Sequence, residues 1–295
     1  MKIFVRMRGG LGNQMFQYSF AKAISLRYPN SQIVLDVREF KKYKVRNFEL
    51  SHFVLDDNVM IHEEGKLPYD KYINIYRVYQ YIVFKLTGKR PNGAIKLLRL
   101  KGFILSGRSC SIPKKKYNSD VFLYGYFQSF DHLLNIKKLL INEFSLQNKN
   151  KSFTKIISNV RSDAIAVSIR CGEDYRQSGW PVQDKSFYLK ALKSVCDRND
   201  RQIVIFSDCI DRIKKEKWFE KYNNVFYITK CSPVEQIEIM KKCKDYVVSN
   251  SSFSWWGAFL GVDINKHVIA PSLWYVNDVK TTETKLIFPG MKIMD

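Results

Sequence analysis

Several things are scarce in this 295-residue sequence, and each shortage narrows what it can be. Long apolar runs are missing: nothing approaches the roughly 18 uninterrupted apolar residues of a membrane-spanning helix. The opening Met1-Lys2-Ile3-Phe4-Val5-Arg6 sets only a few apolar residues before Arg6 and Arg8. A signal peptide needs a longer apolar core and a small-residue cleavage site, so export is not expected. The six cysteines, at 110, 171, 196, 209, 231 and 243, lie at least 12 apart. That leaves no Cys-x-x-Cys pair for a zinc ribbon or a redox motif, and reduced, mostly buried thiols in a cytosolic protein are the expectation. Histidine occurs four times and Asp-x-Asp never, so no metal-ligand set stands out. Acid is short as well: 28 Asp and Glu face 49 Lys and Arg, a formal net charge of +21. Such a field favours anionic partners (nucleic acid, acidic lipid or phosphorylated small molecules) without choosing among them.

Apolar side chains are not short. At 45% apolar and 26% charged, with 20 Phe, 17 Tyr and 5 Trp, the chain can fill a core, and the same composition excludes a disordered chain. The length fits two domains of about 150 residues each, or one large α/β domain.

Short β-branched runs at 164–169, 203–206, 225–228, 246–248 and 267–270 read as buried strands. Between them, 187–195, 211–222 and 253–260 have helical spacing. Ser232-Pro233-Val234-Glu235 is a capping box with proline at the first helical position, which starts one more helix. Strands alternating with helices in this way give a parallel sheet covered on both faces. The N-terminus begins the same way: a strand at 3–7, a glycine turn at 9–12, a helix over 13–27 stopped before Pro29, and a strand at 32–35. From 41 to 116 the signal weakens into a basic, tyrosine-rich stretch with a helix around 72–86, before a strand at 121–127. The polar run Asn148-Lys149-Asn150-Lys151-Ser152 is the expected linker. An N-terminal domain over 1–150 and a C-terminal domain over 151–295, with a cleft between them, is the architecture this predicts.

Four motifs fall at strand ends, where open α/β sheets bind ligands. Arg8-Gly9-Gly10-Leu11-Gly12-Asn13-Gln14 joins a strand to a helix and turns backbone N–H groups towards whatever lies above the strand. Met15 stands where a dinucleotide fingerprint needs its third glycine, so a tight turn explains the glycines as well as a ligand loop does. The amides of Asn13 and Gln14, beside Gly10 and Gly12, suit sugar hydroxyls and favour the ligand loop. In Ser168-Ile169-Arg170-Cys171-Gly172-Glu173-Asp174-Tyr175, Arg170 offers a fork for phosphate, and Glu173 and Asp174 are candidate bases. The alternative is an arginine paired only with a loop carboxylate. Phe206-Ser207-Asp208 places a carboxylate that could accept from two adjacent guanine donors or cap the next helix. The last motif is Ser249-Asn250-Ser251-Ser252-Phe253-Ser254-Trp255-Trp256-Gly257. One residue suffices to cap a helix, so this run is more than capping requires and suits a bound anion. Trp255 and Trp256 read as core or wall.

The stretches Arg8 through Tyr18, Gly125-Tyr126-Phe127-Gln128-Ser129, Phe206-Ser207-Asp208 and Ser249 through Ala258 resemble the bacterial α-1,2-fucosyltransferases of glycosyltransferase family 11, in the same order along nearly the whole chain. The resemblance implies an α/β fold of GT-B type, with two Rossmann-like domains whose parallel sheets face each other across a cleft. It further implies GDP-β-L-fucose as donor, a galactoside acceptor, inversion at the anomeric carbon, and no metal or other cofactor. On this reading the C-terminal domain holds the donor through Arg170, Ser207, Asp208, Asn250, Ser251, Ser252, Phe253 and Ser254. The N-terminal domain presents the acceptor beside Gly10, Gly12, Asn13 and Gln14. Arg170 and the 251–254 helix start would stabilise the leaving pyrophosphate in place of a cation, and Glu173 or Asp174 would take the acceptor proton.

The family's His-x-Arg-Arg-Gly-Asp-Tyr pattern is met with departures. Ser168 stands for the histidine and Cys171 for the second arginine, and Glu173 is inserted before the aspartate or replaces it. Asp174-Tyr175 matches the end of the motif, which favours Asp174 as the base. In an extended loop the two carboxylates point in opposite directions, and the one turned away is free to pair with Arg170, which would make it a poor base.

Lys101, Arg108, Lys114, Lys115 and Lys116 form a basic cluster of the kind usually left as a solvated face. No interleaving of aromatic and basic residues marks a nucleic-acid surface, so no nucleic-acid partner is expected. Peripheral contact with an anionic membrane, where lipid-linked glycans such as O-antigens are built, fits the charge. That places the protein in the cytoplasm, at the inner face of the membrane. The rivals are another nucleotide-sugar transferase on the same scaffold and a non-catalytic basic glycan- or nucleic-acid-binding protein.

Overall fold

The computed structural model describes residues 1–42, 46–88, 102–106, 111–114, 116–198, 200–276 and 278–295. Lys101, Arg108 and Lys115 of the basic cluster, and Cys110, lie outside the described residues. The chain divides into two compact units, Met1–Leu50 with Leu55–Lys138, and Ser51–Val54 with Leu139–Asp295.

In the first unit, β1 (Lys2–Arg6), β2 (Gln32–Asp36), β3 (Val59–His62), β4 (Phe103–Ser106) and β5 (Val121–Gly125) form one parallel sheet in the order β3-β2-β1-β5-β4. Ile3, Phe4 and Val5 of the central β1 are buried, which is why they read as an unbroken apolar run rather than an alternating one. Helix α1 (Leu11–Ser25) follows β1 and is buried almost all round. The second helix, α2 (Asp70–Thr87), packs Ile73 and Tyr76 against Phe4, Val34, Tyr69 and Phe103.

Helix α3 (Lys137–Glu143) contains the division between the units, and α4 (Lys151–Ser158) follows. The polar run 148–152, expected as a linker, starts α4 instead: Asn150 accepts the Phe153 N–H at 2.8 Å and Phe153 is buried. A side-chain cap needs the same polar residues as a linker, so composition alone confuses the two.

The second sheet is built from β6 (Ile165–Ile169), β7 (Ile203–Ser207), β8 (Val225–Tyr227), β9 (Asp245–Val248) and β10 (Val268–Pro271). After a small antiparallel pair, β11 (Leu273–Tyr275) and β12 (Val279–Lys280), β13 (Met291–Met294) completes it. The order is β13-β10-β9-β6-β7-β8, parallel throughout. Its helices are α5 (Glu173–Gln177), α6 (Lys185–Val195), α7 (Ile210–Lys215), α8 (Pro233–Lys242) and α9 (Ser252–Leu260). The helix expected over 211–222 stops at Lys215. Lys217 then takes a left-handed φ of 51° and the chain turns Trp218 and Phe219 into the core, 4% and 1% exposed. Burying both rings outweighs extending a lysine-rich helix.

Cys171 and Cys209 form a disulfide with a Cα–Cα distance of 6.2 Å, which corrects the expectation of reduced thiols for this pair. They are 38 residues apart in sequence but follow adjacent strands, β6 and β7. Cys196, Cys231 and Cys243 are free. Burial pushes the Cys231 thiol up to about 11 and that of Cys243 to about 12, so both stay protonated at neutral pH.

Candidate active site

Because β9, β6 and β7 are neighbours, three of the sequence motifs end side by side in the second unit. Arg170, just beyond β6, sets Nη1 2.6 Å from the Asp208 carboxylate beyond β7 and donates Nη2 to Asp174 at 2.7 Å. Its guanidinium lies 5.2 Å from the centre of the Tyr175 ring, and the Tyr175 hydroxyl donates to the Asn250 carbonyl beyond β9 at 2.9 Å. Arg170, Asp208 and Asn250 are thus one continuous set of contacts. Burial pushes the Tyr175 phenol above its ordinary value, which keeps it a neutral donor. Tyr175 also stacks on Trp180. Neither residue is among the sequence candidates; the only sequence signal for Tyr175 is its place at the end of the Arg170 motif.

The structure gives Asp208 contacts that neither expectation named. It does not cap α7, whose N-cap position is Cys209. Ser207 Oγ accepts the Cys209 N–H at 3.1 Å, while Asp208 accepts the backbone N–H groups of Cys171 and Gly172, both at 3.0 Å. A Cβ on Gly172 would collide with Asp208 Oδ2, so a side chain there would displace that carboxylate. With both oxygens engaged by the loop and by Arg170, Asp208 acts as the clamp that aims Arg170. If a nucleoside diphosphate binds at this fork, Asp208→Asn should weaken GDP and ADP together, by about tenfold or more, the scale of a lost charged hydrogen bond. Titration calorimetry with both nucleotides checks this, and a loss confined to GDP would mean that Asp208 reads guanine.

Helix α9 opens without a side-chain cap: Ser251, at its N-cap, makes no capping hydrogen bond. Ser254 is buried and turned inward, its Oγ 2.7 Å from Ser168 and 2.9 Å from Ser249. Ser168, which stands where the family has histidine, thus joins the end of β6 to the first turn of α9. The hydroxyl run is not spent on capping. The first-turn N–H groups carry the positive end of the helix dipole beside half-buried Ser251, Ser252 and Phe253. Asn250 is 3% exposed; its Nδ2 donates to the Trp274 carbonyl at 3.2 Å, and its Oδ1 finds no hydrogen-bond partner among the described residues. An orphaned buried oxygen costs free energy that a ligand donor can recover. Trp255 and Trp256 are fully buried core, packed against Phe259.

Glu173 and Asp174 occupy the first turn of α5, with Gly172 at its N-cap, rather than an extended loop. Their side chains are therefore separated by about 100° and do not oppose each other. Asp174 is the one that pairs with Arg170, whereas Glu173 accepts from Gln177 Nε2 at 3.2 Å. Among the described residues, one group of His, Cys, Asp and Glu side chains is close enough to share an ion: Cys171, Asp208 and Cys209. Two of its three members are the disulfide.

The glycine motif of the first unit is a self-braced loop. Gly9 has a φ of +80°, and a Cβ there would sit 2.7 Å from Asn13 Nδ2. Gly10 is the N-cap of α1, and Gly12 is buried in its first turn. Gln14 is fully buried. Its Nε2 donates to the carbonyls of Gly9 (3.0 Å) and Asn47 (2.8 Å), and its Oε1 accepts the Glu49 N–H at 2.9 Å. That amide holds the loop and does not face a ligand. Asn13 is half-buried and accepts from Gln128 Nε2 at 2.8 Å. Arg8 donates to the Tyr124 hydroxyl at 3.3 Å and lies 5.1 Å from the Tyr126 ring centre. The Gly125–Ser129 motif is therefore the wall of this loop. Burial opposes the charge of Arg8, but the flanking tyrosines outweigh it and raise the guanidinium pKa. Arg8 and Tyr126, absent from the sequence candidates, are half-buried polar groups at this loop, as Asn13 is.

Glycosyl transferase family 11 matches residues 2–287. The chain is 26% identical to the Escherichia coli O-antigen biosynthesis glycosyltransferase WbnK over 306 residues, covering 94% of this chain and 96% of that one. It is 26% identical to an Escherichia coli alpha-1,2-colitosyltransferase over 283 residues, 92% of each. Its fold is similar to that of the fucosyltransferase NodZ from Bradyrhizobium, at 12% identity and a TM-score of 0.55 over 87% of this chain and 91% of that one. NodZ alpha-1,6-fucosyltransferase has also been crystallised with GDP and soaked with GDP-fucose. With one family pattern running through both parallel-sheet units of a GT-B-type fold, the chain belongs to glycosyl transferase family 11 and is a glycosyltransferase.

Proposed function

We propose that this protein transfers L-fucose from GDP-β-L-fucose to the 2-hydroxyl of a galactoside, with inversion and without a metal, in the assembly of a surface glycan. The observation that carries this reading is the run of contacts from Asp208 through Arg170 and Tyr175 to Asn250. It sets a guanidinium fork among the same strand ends as an uncapped helix start. NodZ, of similar fold, is a fucosyltransferase that has been soaked with GDP-fucose, and both 26% identical relatives are glycosyltransferases, one of O-antigen biosynthesis and one an alpha-1,2-colitosyltransferase.

In the reaction the galactoside oxygen attacks C1 of fucose from the face opposite the nucleotide. The C1–O bond to phosphate breaks, its electron pair leaves with GDP, and the acceptor proton passes to a carboxylate. Arg170 and the first-turn N–H groups of α9 meet the charge that gathers on the leaving pyrophosphate, the task a metal performs elsewhere. Before the donor binds, Arg170 holds Asp174 and Asp208. Asp208 stays fixed by two backbone N–H groups, so the pyrophosphate displaces Asp174, and the freed carboxylate takes the proton. Asp174→Asn should lower kcat by about 10²–10⁴ while GDP affinity stays the same or tightens, and Glu173→Gln should do far less. Single-turnover kinetics with separate GDP titration checks both. The reverse ranking would make Glu173 the base.

The colitosyltransferase relative favours one second reading, the same chemistry with a colitosyl donor. Incubating the protein with GDP-fucose and GDP-colitose in parallel, over a β-galactoside panel, separates the two. NMR of the product should show an α-1,2-linked fucoside. Turnover of the colitosyl donor alone would transfer the proposal to that sugar.

A further inference from the structure

Helix α2 has two apolar faces, and the core uses only one. Ile73 and Tyr76 are buried against the sheet. Ile75, Val78, Tyr79, Ile82 and Leu86 recur at the spacing i, i+3, i+4, i+7 and i+11, which is a single stripe on the side away from that contact. They are 55%, 58%, 36%, 49% and 80% exposed. The last three turns of the helix thus show an unbroken apolar stripe to solvent, which isolated surface leucines do not. Charge on the helix is one-sided. After Asp70, which is held by Arg38 at 2.7 Å, the helix has no acid and carries exposed Lys71, Arg77 and Lys85. On a helical projection Lys85 borders the stripe, and Lys71 lies on its line one turn before Ile75.

We propose that α2 is a membrane-surface helix, with this stripe lying in the headgroup–acyl boundary of an anionic bilayer and Lys71 and Lys85 on lipid phosphates. An apolar stripe with one lysine at its end and another at its edge, on a helix too polar to span a bilayer, is the pattern of helices that lie in the interface. Among the described residues no helix is long and apolar enough to cross a membrane, and the contact proposed for α2 is a surface one. A lipid surface suits the stripe better than a second copy of the chain does. Pairing two copies would bring Lys71 and Lys85 of each against the other, whereas a chain of net charge +21 complements an anionic surface. The stripe residues belong to neither candidate site loop, so this surface is additional to the transfer chemistry.

The test is co-sedimentation of the full chain with vesicles of phosphatidylcholine alone and of phosphatidylcholine with phosphatidylglycerol. Binding is expected only to the second, weakening as salt rises. A variant with Ile75→Ser, Val78→Ser, Ile82→Ser and Leu86→Ser should lose at least about tenfold in vesicle affinity, since each exposed side chain surrenders several buried CH₂ groups. Its melting temperature should be retained, because none of the four is buried. Lys71→Glu with Lys85→Glu should lose the phosphatidylglycerol dependence. The proposal is overturned if the parent chain ignores anionic vesicles, or if the serine variant stays folded and binds them as tightly. It is equally overturned if sedimentation equilibrium shows a dimer that the serine variant dissolves while vesicle binding is unchanged.

Discussion

Arg170→Ala should lower kcat by about 10²–10³, the usual cost of removing one preorganised group that meets transition-state charge. The geometry adds a reason beyond the lost charge. Arg170 spans Asp174 and Asp208 with its two Nη atoms, so its removal leaves two carboxylates facing the site that must receive an anionic donor. Arg170→Lys should recover little, because an ammonium cannot bridge both carboxylates in a plane. GDP titration and single-turnover rates separate the effects on binding and on chemistry. Near-normal kcat with only a raised KM would reduce Arg170 to a ground-state anchor.

The other large effect is on stability and lies at the opposite end of β9. Asp245 is 1% exposed and pairs with Arg201, 4% exposed, at 2.7 Å. It also accepts the His267 N–H at 2.7 Å, while Arg201 donates to the Asp163 and Val195 carbonyls. Burial opposes the charge of Arg201, but Asp245 outweighs it and raises the guanidinium pKa. Asp245→Ala strands a buried cation and should cost about 3–5 kcal/mol. Asp197, an exposed second partner of Arg201 at 3.2 Å, should be replaceable by alanine with little change in stability, since exposed pairs contribute little. Trp180, Trp218, Trp255, Trp256 and Trp274 are the five tryptophans of the chain, and all belong to the second unit. Their fluorescence in a urea titration therefore reads that unit alone. Equal shifts for the two variants would mean that the Arg201–Asp245 pair contributes no more than a surface contact.

The central strands of both sheets were legible because strands buried on both faces must be continuous apolar runs. The start of α8 was legible because its capping box is local: Ser232 N–H donates to Glu235 at 2.7 Å and Ser232 Oγ accepts in return. What could not be read depends on partners distant in sequence. β13, Met-Lys-Ile-Met, carries no strand pattern of its own and exists through pairing with β10. The three motifs that form the candidate site were recognised one by one, but their meeting needs the strand order. Nothing local to Asp208 signals that it accepts the N–H groups of Cys171 and Gly172, 36 or more residues away. Gln14 misled for the opposite reason: a side-chain amide suits a sugar and a backbone loop equally, and only burial shows which one it serves.

Turnover in excess EDTA tests metal-free transfer from GDP-fucose most directly. Purified protein, GDP-fucose and a β-galactoside should yield an α-1,2-linked product at a rate unchanged by the chelator, and Arg170→Ala should abolish most of that rate. Activity lost in EDTA and restored by manganese would contradict the account.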